Sequence, residues 1–152
     1  MSLKSWAENG WLRSHRTSTQ EIADLLKIVD RDLQDARAGG LSHDWRFGIA
    51  YNAALKLCTI LLYAEGYRTE KNLQHYRTIH ALPLILGAAR QDDADYLNAC
   101  RIKRNAAEYD RTGVVSAEEA GELLDFVAEF RIDVLKWIEK RHPELMGADS
   151  PN

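Results

Sequence analysis

Apolar residues recur every three or four positions along most of this chain, and alternation with a period of two is nearly absent. The pattern predicts an all-α fold of about five helices with a short extra helix possible at the N-terminus. The first firm element opens at "STQE", where Ser18 is placed to cap a helix and Glu21 to reach back in a capping box. Ile22, Leu25, Leu26, Val29 and Leu33 follow at helical spacing, and Gly39-Gly40 stops the run. A second helix is predicted over about 42–65. Its stretch "IAYNAALKLCTILLYA" is apolar on most sides, which marks a central, buried helix. Ala50, Ala53 and Ala54 are small enough to let a neighbouring helix come close. Gly66 ends this helix, and a loop is expected through "YRTEKN". "LQHYRTIHALPLILG" is helical in composition. Pro83, however, removes a backbone donor and clashes with the preceding turn, so a kink or restart is expected near Leu82, with a stop at Gly87.

A fourth helix starts in "RQDDAD", with Asp92 or Asp93 as its cap, and runs to about Asp110. "RTGVV" reads as a turn. "SAEE" is a second capping box, Ser116 with Glu119, opening a fifth helix that continues to about Arg141 and buries a stripe from Ala120 to Ile138. Residues 1–17, with Trp6 and Trp11, read as a short helix or an arm packed on the body. Residues 18–141 form the main helical domain, and residues 142–152, after His142-Pro143, read as a frayed tail.

Composition narrows the class. A chain of 152 residues fits one domain around one core, and 45% apolar with 28% charged residues is usual for a globular protein. The net charge of −3 lowers the prior for a globally basic nucleic-acid binder but leaves room for a local basic stripe. Cys58 and Cys100 fit no metal-ligand spacing and read as buried free thiols; no metal or cofactor is expected. "MSLKSWAENGWLRSHR" carries charges where a signal peptide needs an apolar core. The apolar run around 53–64 is interrupted by Lys56 and reads as too short to cross a bilayer, so no membrane contact and a cytoplasmic address are expected.

The chemistry concentrates in "RIKRNAAEYDRTG", residues 101–113. Successive helical residues turn by about 100°, which places Arg101, Arg104, Asn105, Glu108 and Tyr109 on one arc of about 140°. Small residues, among them Ala99, Cys100, Ala106 and Ala107, back this mostly cationic stripe. A solvated face with an Arg104–Glu108 pair is the plainest explanation, although Asn105 and Tyr109 are not strong helix formers for such a face. Elsewhere, His75 and His80 are five apart, which is not the spacing of a metal pair on a helix, and read as surface or helix-end residues. His43 and Asp44 read as helix-start residues. "DDAD" at 92–95 reads as acids complementing a helix dipole rather than as a magnesium site. Asn52, inside an apolar helix, reads as a core hydrogen-bonding residue, with lining of a cleft at the stripe as the alternative.

Three segments carry a resemblance: "GLSHDWRFGIAYNAALKLCTILLYAEGYR", "HYRTIHALPLILG" and "RIKRNAAEYDRTGVVSAEEAGELLDFVAEF". In this order and at these lengths the chain resembles the HEPN superfamily of all-α nucleotide- and RNA-associated domains over roughly residues 18–141. In catalytic members an Arg and a polar residue are followed, after three more residues, by a His. Two such helices meet in a dimer whose Arg and His residues cleave RNA without metal. Arg104 and Asn105 match the first two positions, and Tyr109 stands at the His position. A phenol with pKa about 10 is a poor base near neutral pH, where an imidazole serves well. The resemblance therefore implies an all-α, up-and-down helical bundle of about five helices and a homodimer whose ribonuclease activity is lost or strongly weakened. Its stripe of Arg101, Arg104, Asn105, Glu108 and Tyr109 would bind RNA, a nucleotide or a partner protein. A minimal nucleotidyltransferase or an antitoxin is a partner of such domains. Two alternatives stand beside it: a weak or atypical metal-independent endoribonuclease acting through Arg104 with Glu108 or Tyr109, and a purely structural helical dimer.

Overall fold

The computed structural model describes residues 1–107 and 113–147 of the chain. In order, these form α1 (Leu3–Glu8), β1 (Leu12–Ser14), α2 (Thr19–Arg37), α3 (His43–Ala64), β2 (Tyr67–Thr69), α4 (Gln74–His80), α5 (Leu82–Leu86), α6 (Gln91–Asn105) and α7 (Ala117–Arg141), with 3₁₀ turns at Ala88–Arg90 and Pro143–Met146. The fold is an all-α bundle in which α3 is the central element, packed by α2, α7, α6 and α4. Ala50, Ala53 and Ala54 are fully buried along it, and their lack of bulk is what lets those neighbours crowd one helix. Over its 22 residues α3 is long and apolar enough to cross a membrane by length and composition, with a mean hydropathy of 1.4, so length does not exclude a span as the run around Lys56 seemed to do. Most of that apolar surface, 67% of the window, is buried against the rest of the molecule.

The helix starts follow local chemistry, with two corrections. Ser18 accepts from the Glu21 N–H as expected, but the Glu21 carboxylate does not close a capping box. It takes hydrogen bonds from Thr17 (2.7 Å) and pairs with His15 (2.7 Å), partners that reach it more directly than the cap N–H. At α6 neither Asp92 nor Asp93 caps the helix. The N-cap is Arg90, and both acids sit in the first turn, where they still complement the helix dipole. The Arg90 side chain holds Asp93 (3.0 Å) and Asp133 of α7 (2.8 Å), which ties the start of α6 to α7. The second capping box, Ser116 with Glu119, forms at α7 as expected. Pro83 falls at the start of α5 after a break at Ala81, the restart expected near Leu82.

Two short strands were not expected: β1 falls at the end of the segment read as a short helix or arm, and β2 in the segment read as a loop. Leu12–Ser14 pairs antiparallel with Tyr67–Thr69, and His15 N–H extends the ladder to the Gly66 carbonyl (2.8 Å). Strands of three residues carry too little alternation to register as a period. Gly66, at φ +92°, turns the chain from α3 into β2. The pairing brings the N-terminal arm against the body, where Trp6, Leu12, Leu62 and Ala81 form a second buried cluster. The expected frayed tail is corrected in part. Leu145 and Met146 pack on the main core, and the Glu144 carbonyl accepts from the Thr19 hydroxyl, because the turn at Pro143 folds the chain back on α2. Cys58 and Cys100 are free and buried, and burial pushes their thiols up to about 12 and about 11.

Candidate functional site

The basic stripe lies on the C-terminal half of α6, after which Ala106 and Ala107 continue in a π-type turn. Arg101, Arg104 and Asn105 are half-buried there. Glu108 and Tyr109 lie outside the described residues, as do the expected Arg104–Glu108 pair and the end of the helix near Asp110. The two arginines are placed by aromatic rings from other helices. The Arg101 guanidinium lies 5.6 Å from the ring centre of Tyr76 on α4, and that of Arg104 lies 5.7 Å from the ring centre of Tyr51 on α3. Arg101 also donates to Asn98 Oδ1 (3.0 Å), a neutral partner, and among the described residues it makes no ion pair. This differs from Arg13, Arg31, Arg90 and Arg131, each of which meets a carboxylate. Lys103, on the other side of α6, pairs with Glu119 of α7 and helps fix the helix against the bundle.

α4 adds a residue that helical spacing alone did not connect to the stripe. The His75 ring is 6.3 Å from that of Tyr51, so His75 and Arg104 approach the same aromatic ring. His75 is exposed, as expected of a surface residue, but partial desolvation on its inner side, then the charges of Arg104, Lys56 and Arg101, hold its imidazole below the ordinary pKa, so it is neutral near pH 7. His80, at the end of α4, stacks on Tyr76 at 4.2 Å and is also held low, by burial and by Arg101 against the opposing pull of Asp95. Tyr51 is 1% exposed, its hydroxyl has no hydrogen-bond partner among the described residues, and burial pushes its pKa up.

Beside the stripe a cleft of about 790 Å³ opens between the start of α3, α2, the end of α6 and residues 113–115. Arg104 is at its edge. Asn52 is half-buried rather than in the core: it lines the cleft, and its Nδ2 donates to Asp32 Oδ2 (2.7 Å), which ties α3 to α2. Asp32 is 5% exposed and takes two further hydrogen bonds from Arg31. Asp44, expected as a helix-start residue, does more. Its carboxylate accepts the backbone N–H groups of Gly113 (2.6 Å) and Val115 (3.1 Å), anchoring the chain where it leaves the stripe. Gly113 sits at φ +75°, a conformation that aims its N–H at Asp44 with little strain only for glycine. Trp45 stands at the cleft with 60% of its surface exposed. Asp32 and Trp45, which also line this cleft, carry no local sequence pattern that marks them. Among the described residues no group of three His, Cys, Asp or Glu side chains is placed to hold a metal ion. Comparison with protein-family models, curated proteins and solved structures finds no match to this chain.

Proposed function

We propose that this chain is a HEPN-type domain that binds single-stranded RNA through the cationic face of α6. With tyrosine in place of histidine at position 109, it acts as a binding rather than a cleaving domain. The observation that carries the reading is the setting of Arg101 and Arg104: two guanidinium groups on one helix, each against an aromatic ring, with Lys56 adding to a positive field strong enough to help keep His75 neutral. Guanidinium groups recognise phosphate in a two-pronged way, and Tyr76, 40% exposed and in contact with Arg101 and His80, adds ring surface at the same place. In this reading two copies pair through their α6 faces. Ile102, 56% exposed among the cations of α6, is apolar surface that such a contact would cover.

The test is binding of mixed-sequence single-stranded RNA by the full chain in EDTA, measured at several salt concentrations. Wild-type protein is expected to bind without cutting, with affinity falling as salt rises. Arg101→Ala and Arg104→Ala are each expected to weaken binding and to flatten the salt dependence by about 0.7 in log–log slope. Absence of binding by the wild type would remove the proposal. One observation favours a second reading, metal-independent endoribonuclease activity: a neutral imidazole, His75, stands beside Arg104 although position 109 lacks one. Cleavage in EDTA by the wild type but not by His75→Ala would replace the binding reading with that one.

A further inference from the structure

The cleft beside the stripe has its own chemistry, distinct from that of the exposed face of α6. Its volume of about 790 Å³ falls in the range of roughly 300–1,000 Å³ that accommodates small-molecule ligands. Ile49 and Val115 give it apolar walls, and Trp45 provides a large exposed indole plane. Both carboxylates that border it are already engaged: Asp32 by Arg31 and Asn52, Asp44 by two backbone N–H groups. Arg31 offsets the charge of Asp32, and the two oxygens of Asp44 are turned to the backbone at Gly113 and Val115. Because Asn52 Nδ2 is committed to Asp32, the amide is held in one orientation, and its Oδ1 remains as an acceptor at the cleft. Arg104 supplies positive charge at the edge that adjoins the stripe.

An occupant suited to this set is flat, carries a donor edge for Asn52 and has an anionic group for Arg104. We infer that the cleft seats a single nucleotide, with its base against Trp45, the base edge toward Asn52 and its phosphate toward Arg104. The nucleotide is either free or an unpaired residue of a bound RNA strand. This deepens the proposal for the α6 face and rests on it.

The structure supplies two independent ways to disturb the seat. Trp45 is exposed, so its replacement leaves the core intact. Gly48 lines the cleft within α3, and nothing stands within 4 Å of where a Cβ would sit, so a side chain added there starts in open space at the cleft wall. The four ribonucleoside 5′-monophosphates and a single-stranded RNA octamer are titrated calorimetrically into the full chain and into Trp45→Ser, Trp45→Phe, Gly48→Phe and Gly48→Ala. Loss of one stacking contact is expected to weaken binding about tenfold or more in Trp45→Ser, and Trp45→Phe to remain within about threefold of wild type. Gly48→Phe is expected to block the cleft and Gly48→Ala to bind normally.

Monophosphate binding that follows this order identifies a seat for free nucleotide. Octamer binding alone in this order identifies a seat for a base of the strand. Octamer binding that is weakened by Arg101→Ala but unchanged in both Trp45→Ser and Gly48→Phe overturns the cleft and leaves the α6 reading standing. If the wild type binds neither ligand, both readings fall.

Discussion

Asp44 shows how one side chain can serve both fold and site. It accepts two backbone N–H groups from a segment about 70 residues away, and charged acceptors of this kind are worth more than neutral ones. Asp44→Ala leaves the N–H of buried Val115 short of a partner, while water can reach that of exposed Gly113, and is expected to cost about 1 kcal/mol, read as a lowered urea midpoint with an unchanged slope. A midpoint equal to wild type would mean that water replaces the carboxylate without loss. His75 gives a second residue-level expectation. The folded protein holds its pKa below the ordinary value of 6.5, so the unfolded chain takes up the proton more readily. What the neutral ring contributes is therefore present above pH 6.5 and is lost as pH falls below it. NMR titration should place the His75 midpoint below 6.5, and Arg104→Ala should move it upward by removing the largest of the neighbouring charges. A midpoint at or above 6.5 in the wild type would contradict the placement of His75 among cations.

At the scale of elements, the N-terminal arm and the long helices depend on different things. α1 and β1 are too short to persist alone, and they are held by the β1–β2 pairing and by Trp6, which is 8% exposed. Trp6→Ala is expected to destabilise by about 3–5 kcal/mol in chemical unfolding, because the cavity cannot close over Leu62 and Ala81. A loss under about 1 kcal/mol would mean that the arm is dispensable. α7 is stabilised along its whole length by burial of one stripe and closed at its start by a capping box. Gly121 sits in its second turn with open space where a Cβ would go. Gly121→Ala should therefore raise stability by about 0.5–1 kcal/mol through helix propensity, measurable as a higher melting temperature. The helices were legible in the sequence because capping residues, periodic apolar positions and Pro83 act within a few residues of one another. The strands were not, since each gains its hydrogen bonds only from a partner far along the chain.

At the scale of the whole molecule, the proposed pairing through α6 gives a defined expectation. Sedimentation equilibrium of the chain, 17.3 kDa, should return twice that mass, and Ile102→Asp should shift it toward a single copy by placing charge in the contact. A wild-type mass of one chain would remove the dimer while leaving the RNA-binding test untouched. The sequence by itself determined the all-α class, the buried central helix and the shared face of Arg101, Arg104 and Asn105. Each of these follows from the fixed geometry of one helix, in which spacing alone sets direction. It could not determine what stands opposite that face. The rings of Tyr51 and Tyr76 beneath the arginines, the approach of His75, the Asp32–Asn52 bond and the cleft with Trp45 join residues from different helices. Only tertiary structure decides such contacts, because they depend on how α2, α4 and α6 crowd around α3 and not on any repeat within one of them.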